Sequence, residues 1–410
     1  MTVHVVGAGV AGLAAAVRLA GQGVPVVVHE AAGQAGGRCR SYHDTTLDRR
    51  IDNGNHLLLS GNRSVAEFLA ETGASGELAG PERAEFPFLD LETGERWTVR
   101  PNGGPLPWWI FSPSRRVAGT TPGDYLQSFR LRRPGATVAE CLDTARPAFR
   151  RFWEPLAIGV LNASAKEGAA NLLWPVLLET FGRGEAACRP RTARRGLSET
   201  FVDPALAFLA KRGAEVRFNR RLKGLSCGAG RVASLEFAEG PLILAEGDCV
   251  VLAVPSWTAA DLLPGIMVPR GSRAIVNAHF RLRRPGPETG PIGLVGGIAQ
   301  WVFVRGDVAS VTVSAADALA EEPAEAIAAR IWPEVARALD IGAAQIPPWR
   351  IVKEKRATFL QAPEEVARRP GPTTSWPNLV LAGDWTATGL PATIEGAIRS
   401  GHRAADLLRP

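Results

Sequence analysis

The first thirty residues constrain the fold more than any other stretch. Val3–Val6 is an apolar run that leads into Gly7-x-Gly9-x-x-Gly12. A segment of small residues, Val10–Ala20, follows, and a second apolar run then ends in Glu30. The order reads as strand, tight turn, helix, strand, acid. Gly7 permits the turn, Gly9 lets a pyrophosphate approach the backbone, and Gly12 lets the helix pack close on the strand. Ala11 lies in the first turn of that helix, where free N–H groups and a partial positive charge favour an anion. Glu30 stands about 20 residues on, where it can accept both hydroxyls of an adenosine ribose. A glycine-rich turn in some other α/β protein is the plain alternative, but five parts in the right order argue against it. A membrane span needs ~20 largely apolar residues, and Arg18 and the glycines interrupt this run.

At 410 residues the chain can hold two domains or one elaborated domain. Hydrophobic content of 46% and charged content of 21% are those of a folded globular protein. Cys39, Cys141, Cys188, Cys227 and Cys249 are scattered without a Cys-x-x-Cys. That spacing suits a reducing compartment and offers neither a disulfide framework nor a metal site. Nothing resembles a secretion signal, so the mature chain is expected to start at residue 1 or 2 and to stay in the cytoplasm. Net charge is +6 with pI near 9.4. Lysine occurs only at 166, 211, 223, 353 and 355, and arginine supplies the remaining basic residues. No nucleic-acid signature accompanies this charge, so anionic lipid or phosphate is the expected counterpart.

Further along, Gly36-Gly37-Arg38 brings backbone close to a ligand and adds an arginine that can fork onto phosphate. Asp52-Asn53-Gly54-Asn55-His56 is a polar turn before an apolar segment, with Asp52 and His56 as its reactive groups. A lone histidine is more often structural than catalytic, and spacing alone does not decide between the two. Residues 86–100 read as a hairpin around Glu92–Glu95. Trp108-Trp109-Ile110-Phe111, followed by Arg115-Arg116, suits a segment at a lipid interface, with rings among headgroups and arginines on phosphates. The same residues suit a core-packing turn equally well. Residues 123–185 read mainly as helices, and Arg183–Arg195 as a solvated arginine-rich loop. A helix near 204–212 and a strand near 214–219 come next. Residues 266–315 alternate as in a half-exposed sheet, and 322–339 form an amphipathic helix. At the end, an apolar strand delivers Gly383-Asp384, and a helix begins near Thr393-Ile394.

The opening unit, Gly36-Gly37-Arg38, the Asp-Asn-Gly-Asn-His turn and the C-terminal Gly-Asp together resemble the flavoprotein family of amine oxidases, protoporphyrinogen oxidases and carotenoid desaturases. The resemblance implies an α/β fold: a Rossmann-type FAD-binding domain of the glutathione-reductase kind, an α+β substrate domain and a helical lipophilic cap. It places the FAD domain at 1–75, 196–265 and 375–410. The substrate domain is placed at 76–195 and 266–374, with the cap at about 105–185. FAD would contact Gly7, Gly9, Ala11, Gly12, Glu30, Gly37, Arg38, Gly54, Asn55, His56, Val216, Gly383, Asp384, Thr393 and Ile394. In the family the strand holding Val216 meets the adenine, the aspartate binds the ribityl–phosphate region, and the last helix faces the flavin O2.

Within this family, Phe-Ser-Pro-Ser-Arg-Arg (111–116), Glu-Lys-Arg-Ala-Thr-Phe (354–359) and Gly-Asp-Trp-Thr (383–386) are similar to the bacterial squalene-associated branch, the hydroxysqualene dehydroxylases of squalene and hopanoid biosynthesis. No cysteine lies near Asp384, so the FAD is expected to be non-covalent. Asn277 stands where amine oxidases carry a flavin-facing lysine. The implied reaction is the reduction of hydroxysqualene to squalene, with His56 as the acid and Glu395 and Asp52 in reserve. No metal is called for, and the external reductant is not legible. The isoprenoid substrate implies contact with the inner face of the membrane through Trp108, Trp109, Ile110, Phe111, Arg115 and Arg116. Rival readings are a carotenoid-type desaturase, an amine oxidase and a non-catalytic prenyl-lipid carrier.

Overall fold

A computed structural model describes residues 1–286 and 290–408. Residues 287–289, inside the stretch expected to be a sheet, lie outside the described residues, as do 409–410. The opening unit forms as its sequence dictates: strand Val3–Val6, helix Val10–Gly21, strand Val26–His29. These join a five-stranded parallel sheet in the order Glu215–Arg217, Val26–His29, Val3–Val6, Cys249–Leu252, Leu379–Leu381. Four chain segments far apart in sequence thus meet at one sheet. The all-parallel arrangement buries both faces, which explains runs of Val and Leu without polar alternation. Leu13, Ala14, Ala15, Ala16 and Val17 of the first helix are fully buried. The C-terminal helix, Ile394–Leu407, crosses that helix at very short range. A Cβ at Gly401 would lie 2.1 Å from the Ala11 carbonyl oxygen, so the crossing requires glycine there.

The second sheet has seven strands in the order Trp349–Phe359, Ser272–Arg281, Val308–Val313, Trp301–Arg305, Ile292–Val295, Phe86–Asp90, Arg96–Val99. The hairpin expected at 86–100 is its edge. Ala274, Val276, Ala278, Phe280, Val311 and Val313 face one side. They pack under the Ala324–Ala338 helix through Ile327, Ile331, Trp332 and Val335. The alternating residues Asn277, His279, Ser310, Thr312, Trp301 and Phe303 form the other face. The expectation of a half-exposed sheet fails. Ile292–Val295 and Val308–Val313 are buried throughout, because the polar face packs against the Asp52–His56 turn, with Asn277 and Thr312 bonded to Asn53 and Asn55, rather than facing bulk water.

The helical segment expected from 123–185 packs on the second sheet and on the aromatic cluster that covers it. Its longest members are Glu154–Leu161 and Ala170–Glu179, which keeps Pro175 in its interior. Pro155, Leu156, Ile158, Val160, Trp174 and Val176 are only half-buried although apolar. The Arg183–Arg195 segment is more ordered than a solvated loop. Pro190–Ala193 pairs with both Leu58–Leu59 and Leu78–Ala79, and Arg189 and Arg195 pair with Glu185 and Glu77.

Buried histidines give this fold an acid limit. His29 is 0% exposed and burial, reinforced by neighbouring His4, lowers its pKa to about 3. His279 is 1% exposed, and burial lowers its pKa to about 4. Both folded values lie below the ordinary 6.5, so below that pH the unfolded chain takes up protons that the folded chain refuses. Stability is therefore complete above about pH 6.5 and drains as pH falls toward 4, by up to about 1.4 kcal/mol per pH unit for each histidine. Denaturant midpoints measured from pH 7.5 to 4.5 should fall steadily. A flat profile would mean that both rings are solvated.

Candidate active site

The C-terminal end of the first strand makes a cradle shaped for a ligand. Gly7 has φ +105°, and a Cβ there would sit 2.5 Å from the Ala253 carbonyl oxygen. At Gly12 a Cβ would lie 1.9 Å from the Gly7 carbonyl oxygen. Gly9 differs: a Cβ there meets nothing within 4 Å. Packing does not demand glycine at position 9, so a ligand approaching the backbone is the physical reason for it. The helix that Gly9 caps carries no side-chain cap, and its first N–H groups, including that of Ala11, stay free for an anion. Glu30 is held by the Ala8 and Ala32 amides at 2.7 and 2.8 Å, which aims its carboxylate across the turn. Gly36 and Gly37, at φ +106° and +57°, fold back onto it, with Gly36 bridging Gly9. Val216 pairs with Val28 at the sheet edge.

The two motif groups that are far apart in sequence meet here. Arg38 Nη2 donates to Asp384 Oδ1 at 2.8 Å, and its other amino group donates to the Ala357 carbonyl. Gly383 has φ +149°, and its N–H donates to Ser400 Oγ. Thr393 caps the last helix, accepting from the Gly396 N–H, so the N–H groups of Ile394 and Glu395 open that helix toward the cradle. A diphosphate on glycine amides, a ribose on Glu30 and an arginine balancing charge fit a flavin dinucleotide.

The family described as "Flavin containing amine oxidoreductase" matches residues 10–409. The chain belongs to the flavin-containing amine oxidoreductase family. As such it is a flavin oxidoreductase with FAD as cofactor, on the α/β fold that the resemblance implied. A hydroxysqualene dehydroxylase of Rhodopseudomonas palustris is 49% identical over 99% of this chain and 98% of its own length. One from Sinorhizobium fredii is 46% identical over 99% and 97%. Among solved structures, an oxidoreductase from Methanosarcina mazei superposes with TM-score 0.74 at 13% identity, over 99% of this chain and 100% of that one. That likeness speaks for the fold alone.

In this flavin oxidoreductase the Asp52–His56 turn lies between the cradle and the second sheet. Gly54 sits against Asn277, whose Nδ2 would be 3.1 Å from a Cβ at position 54. Asn55 donates to Thr312 Oγ1 at 3.1 Å, and Thr312 donates to Asn277 Oδ1 at 2.9 Å. His56 is half-buried and makes no hydrogen bond among the described residues. Burial dominates its titration and Arg38 adds to it, against the opposing pull of Asp52, so its pKa falls to about 4. His56 is thus a neutral imidazole at pH 7.

The two reserve carboxylates are already engaged. Asp52 accepts from Ser41 Oγ at 2.6 Å, the Leu197 N–H at 2.9 Å and Arg305 at 2.8 Å. Glu395, 3% exposed, accepts from the Ser64 and Val65 N–H groups at 3.0 Å each and from Arg399. Its carboxylate caps the Arg63–Glu71 helix from outside that helix's own sequence.

The aromatic segment is split. Trp109 and Ile110 are 4% and 2% exposed and belong to the aromatic core with Tyr125, Phe152 and Phe181. Their assignment to a lipid interface is corrected to core packing. Trp108 and Phe111 point outward at 63% and 55%. Arg116 is also occupied at home, donating to the Ile110 and Thr120 carbonyls, whereas Arg115 is exposed. The short helical turn Trp108–Phe111 explains the split, since its residues fan around an axis instead of sharing one face.

Arg369 is a site residue that the sequence did not disclose. It is 8% exposed and donates to the carbonyls of Asp384, Thr386 and Leu390 and to Thr388 Oγ1. It therefore holds the loop that carries Gly383-Asp384. Nothing in Ala367-Arg368-Arg369-Pro370 separates this arginine from its exposed-looking neighbours, so no local signal could have found it.

Proposed function

We propose that this flavoprotein reduces hydroxysqualene to squalene. The single observation behind this reading is that relatives 49% and 46% identical, matched across whole chains, carry the name hydroxysqualene dehydroxylase. The cleft agrees with that substrate. The apolar surface it needs is offered by the half-buried residues of Glu154–Leu161 and Ala170–Glu179 and by the half-buried rings of Trp301 and Phe303. Burying roughly 600 Å² of isoprenoid at ~25 cal/mol/Å² contributes about 15 kcal/mol before ordering costs.

His56 meets the allylic hydroxyl and protonates it, so that the C–O bond breaks with its electron pair leaving as water. Trp301 and Phe303 face the cation that remains with π-electrons and keep water from recapturing it. When bound in its reduced form, non-covalent FAD supplies the hydride that completes squalene. Gly7, Gly9, Ala11, Gly12 and the Gly37-Arg38 turn hold the diphosphate, Glu30 the ribose and Val216 the adenine edge. Asp384, Thr393 and Ile394 hold the flavin half. Gly54 and Asn55, braced by Asn277 and Thr312, hold the turn that carries His56. Asp52 and Glu395 act as positioning residues whose oxygens are saturated. The substrate domain and its cap follow the boundaries set out from the resemblance. The isoprenoid comes from a bilayer, which the chain touches through Trp108, Phe111 and Arg115.

His56→Ala should reduce turnover by at least about a hundredfold while the protein still binds FAD. Because only protonated His56 is an acid and its pKa is near 4, kcat/KM should rise about tenfold per pH unit from 7 to 5. Anaerobic single turnovers with reduced protein and hydroxysqualene, scored by extracted squalene, test both. An active His56→Ala variant with the same pH slope removes His56 from the acid role. Oxidised protein that instead desaturates an isoprenoid would favour the carotenoid-type rival.

A further inference from the structure

Exposed large apolar side chains cluster on the cap. Leu106, Trp108, Phe111, Leu126, Phe129 and Leu178 are between 47% and 63% exposed, and every exposed Trp or Phe of the described residues is among them. The short Pro122–Leu126 helix packs on the Trp108–Phe111 turn and runs directly into the Gln127–Arg132 turn, which puts Trp108, Phe111, Leu126 and Phe129 on adjoining elements. Phe129, Arg130, Arg132, Arg133, Glu140 and Cys141 line a shallow, open depression of about 400 Å³. Phe129 meets Trp174 at a tilt of 48° with ring centroids 5.5 Å apart, and the Arg132 guanidinium lies 5.8 Å from the same Trp174 ring. Trp174, on the Ala170–Glu179 helix, thus braces Phe129 and Arg132 from beneath.

Charge decides what this pocket takes. None of Arg115, Arg130, Arg132 and Arg133 has a carboxylate within ion-pair distance among the described residues, whereas Arg146, Arg150 and Arg151 of the same cap all do. Glu140 lines the same depression and keeps its negative charge while accepting from the Thr137 N–H at 2.8 Å, so three guanidiniums against one carboxylate leave the lining net positive. Between residues 105 and 135 the only acid is Asp124, which is 3% exposed and faces Arg146. Rings and leucines around unpaired guanidiniums complement an anionic bilayer, with apolar groups among the acyl chains and arginines on phosphates.

We propose that Arg130, Arg132 and Arg133 form a binding pocket for the phosphate of an anionic lipid headgroup, and that the Trp108–Phe129 ridge docks beside it. The purpose rests on the isoprenoid reading above; the geometry does not. Seated there, the cap lies on the membrane next to the lipid that carries the substrate.

FAD-loaded full-length protein should be sedimented with vesicles of phosphatidylcholine, alone or with one third phosphatidylglycerol. The wild type should prefer the anionic vesicles, and salt should weaken that preference. The Arg130→Gln/Arg132→Gln/Arg133→Gln variant should bind anionic vesicles on the order of a hundredfold less well and neutral vesicles as before. Should the triple variant misfold by circular dichroism, Arg133→Gln alone should still lose about fivefold. Unaltered binding to anionic vesicles overturns the proposal, as does equal loss on both vesicle types. Inorganic phosphate should displace the protein from anionic vesicles more than chloride does at equal ionic strength; phosphate binding without any preference for anionic vesicles would make the pocket a free-anion site and overturn the proposal. Self-association lost in the triple variant, without vesicle binding, would assign the ridge to a second copy and overturn it too. Turnover in detergent should be the same in wild type and triple variant. If the wild type is itself inactive in detergent, the functional reading fails while the vesicle comparison still stands.

Discussion

Gly9→Val should give a protein that folds normally and carries no flavin. Gly9 has ordinary extended geometry, φ −69° and ψ 172°, which valine adopts easily. Its missing Cβ faces open space, so nothing in the protein resists a side chain there. The cost to the apo fold should stay within about 1 kcal/mol, the scale of a poorer helix cap. The new methyl groups would instead occupy the path by which the diphosphate reaches the helix amides. Losing two charge-assisted hydrogen bonds weakens binding on the order of a hundredfold or more. Gly12→Ala should do the reverse of a clean separation. Its Cβ would fall 1.9 Å from the Gly7 carbonyl oxygen, forcing helix and strand apart at a cost of about 3 kcal/mol to the fold itself. Purified apo-proteins compared by denaturant melts and flavin titration should therefore differ in kind. If Gly9→Val retains tight FAD binding, the cradle at Gly9 is not where the diphosphate lies.

That contrast also marks where sequence is a good witness. The glycine fingerprint was legible because its parts are near neighbours, and each residue has a local reason to be there. The hairpin at 86–100 and the amphipathic helix over 322–339 follow from local patterning in the same way. What escaped depends on partners far along the chain. Glu395 looks like a reactive carboxylate in a motif, yet it caps a helix more than 320 residues earlier. Asp52 looks free beside His56 until Arg305 and the Leu197 amide arrive. Trp109 and Trp108 are indistinguishable in sequence, and only the turn of a short helix sends one inward and one outward. The polar alternation of 266–315 suggests solvent exposure because periodicity reports that a face is polar, not what it faces. His56 shows the limit from the other side. Its position could be read, but its neutrality at pH 7 comes from burial and Arg38, which only the assembled cleft supplies.

Arg369→Met should cost more than any other single change outside the glycine turn. The Gly383–Leu390 loop must present Asp384 to Arg38 and lead into the helix capped by Thr393, yet it contains no regular structure of its own. Its carbonyls turn inward, and one guanidinium satisfies three of them together with the Thr388 hydroxyl. The charge is tolerated because those dipoles converge on it and Phe359 lies 5.2 Å beneath; even so, burial lowers its pKa to about 10, against the pull of Asp384. Methionine fills similar volume but donates nothing, so three buried carbonyls lose their partner. At about 1–3 kcal/mol for each unsatisfied group, partly relieved by relaxation and water, the net loss should be about 3–5 kcal/mol. Arg369→Lys should fall between, since an ammonium can reach some of these acceptors but not all in a fixed fork. The loss should also appear in cofactor affinity. A loosened loop lets Asp384 and the start of the last helix drift, so FAD should bind more weakly even under conditions where both variants remain folded. Denaturant melts of the apo-proteins and flavin titrations of the folded ones separate the two effects. If Arg369→Met is as stable as wild type and binds FAD equally well, the loop is held by its neighbours and the guanidinium only fills space.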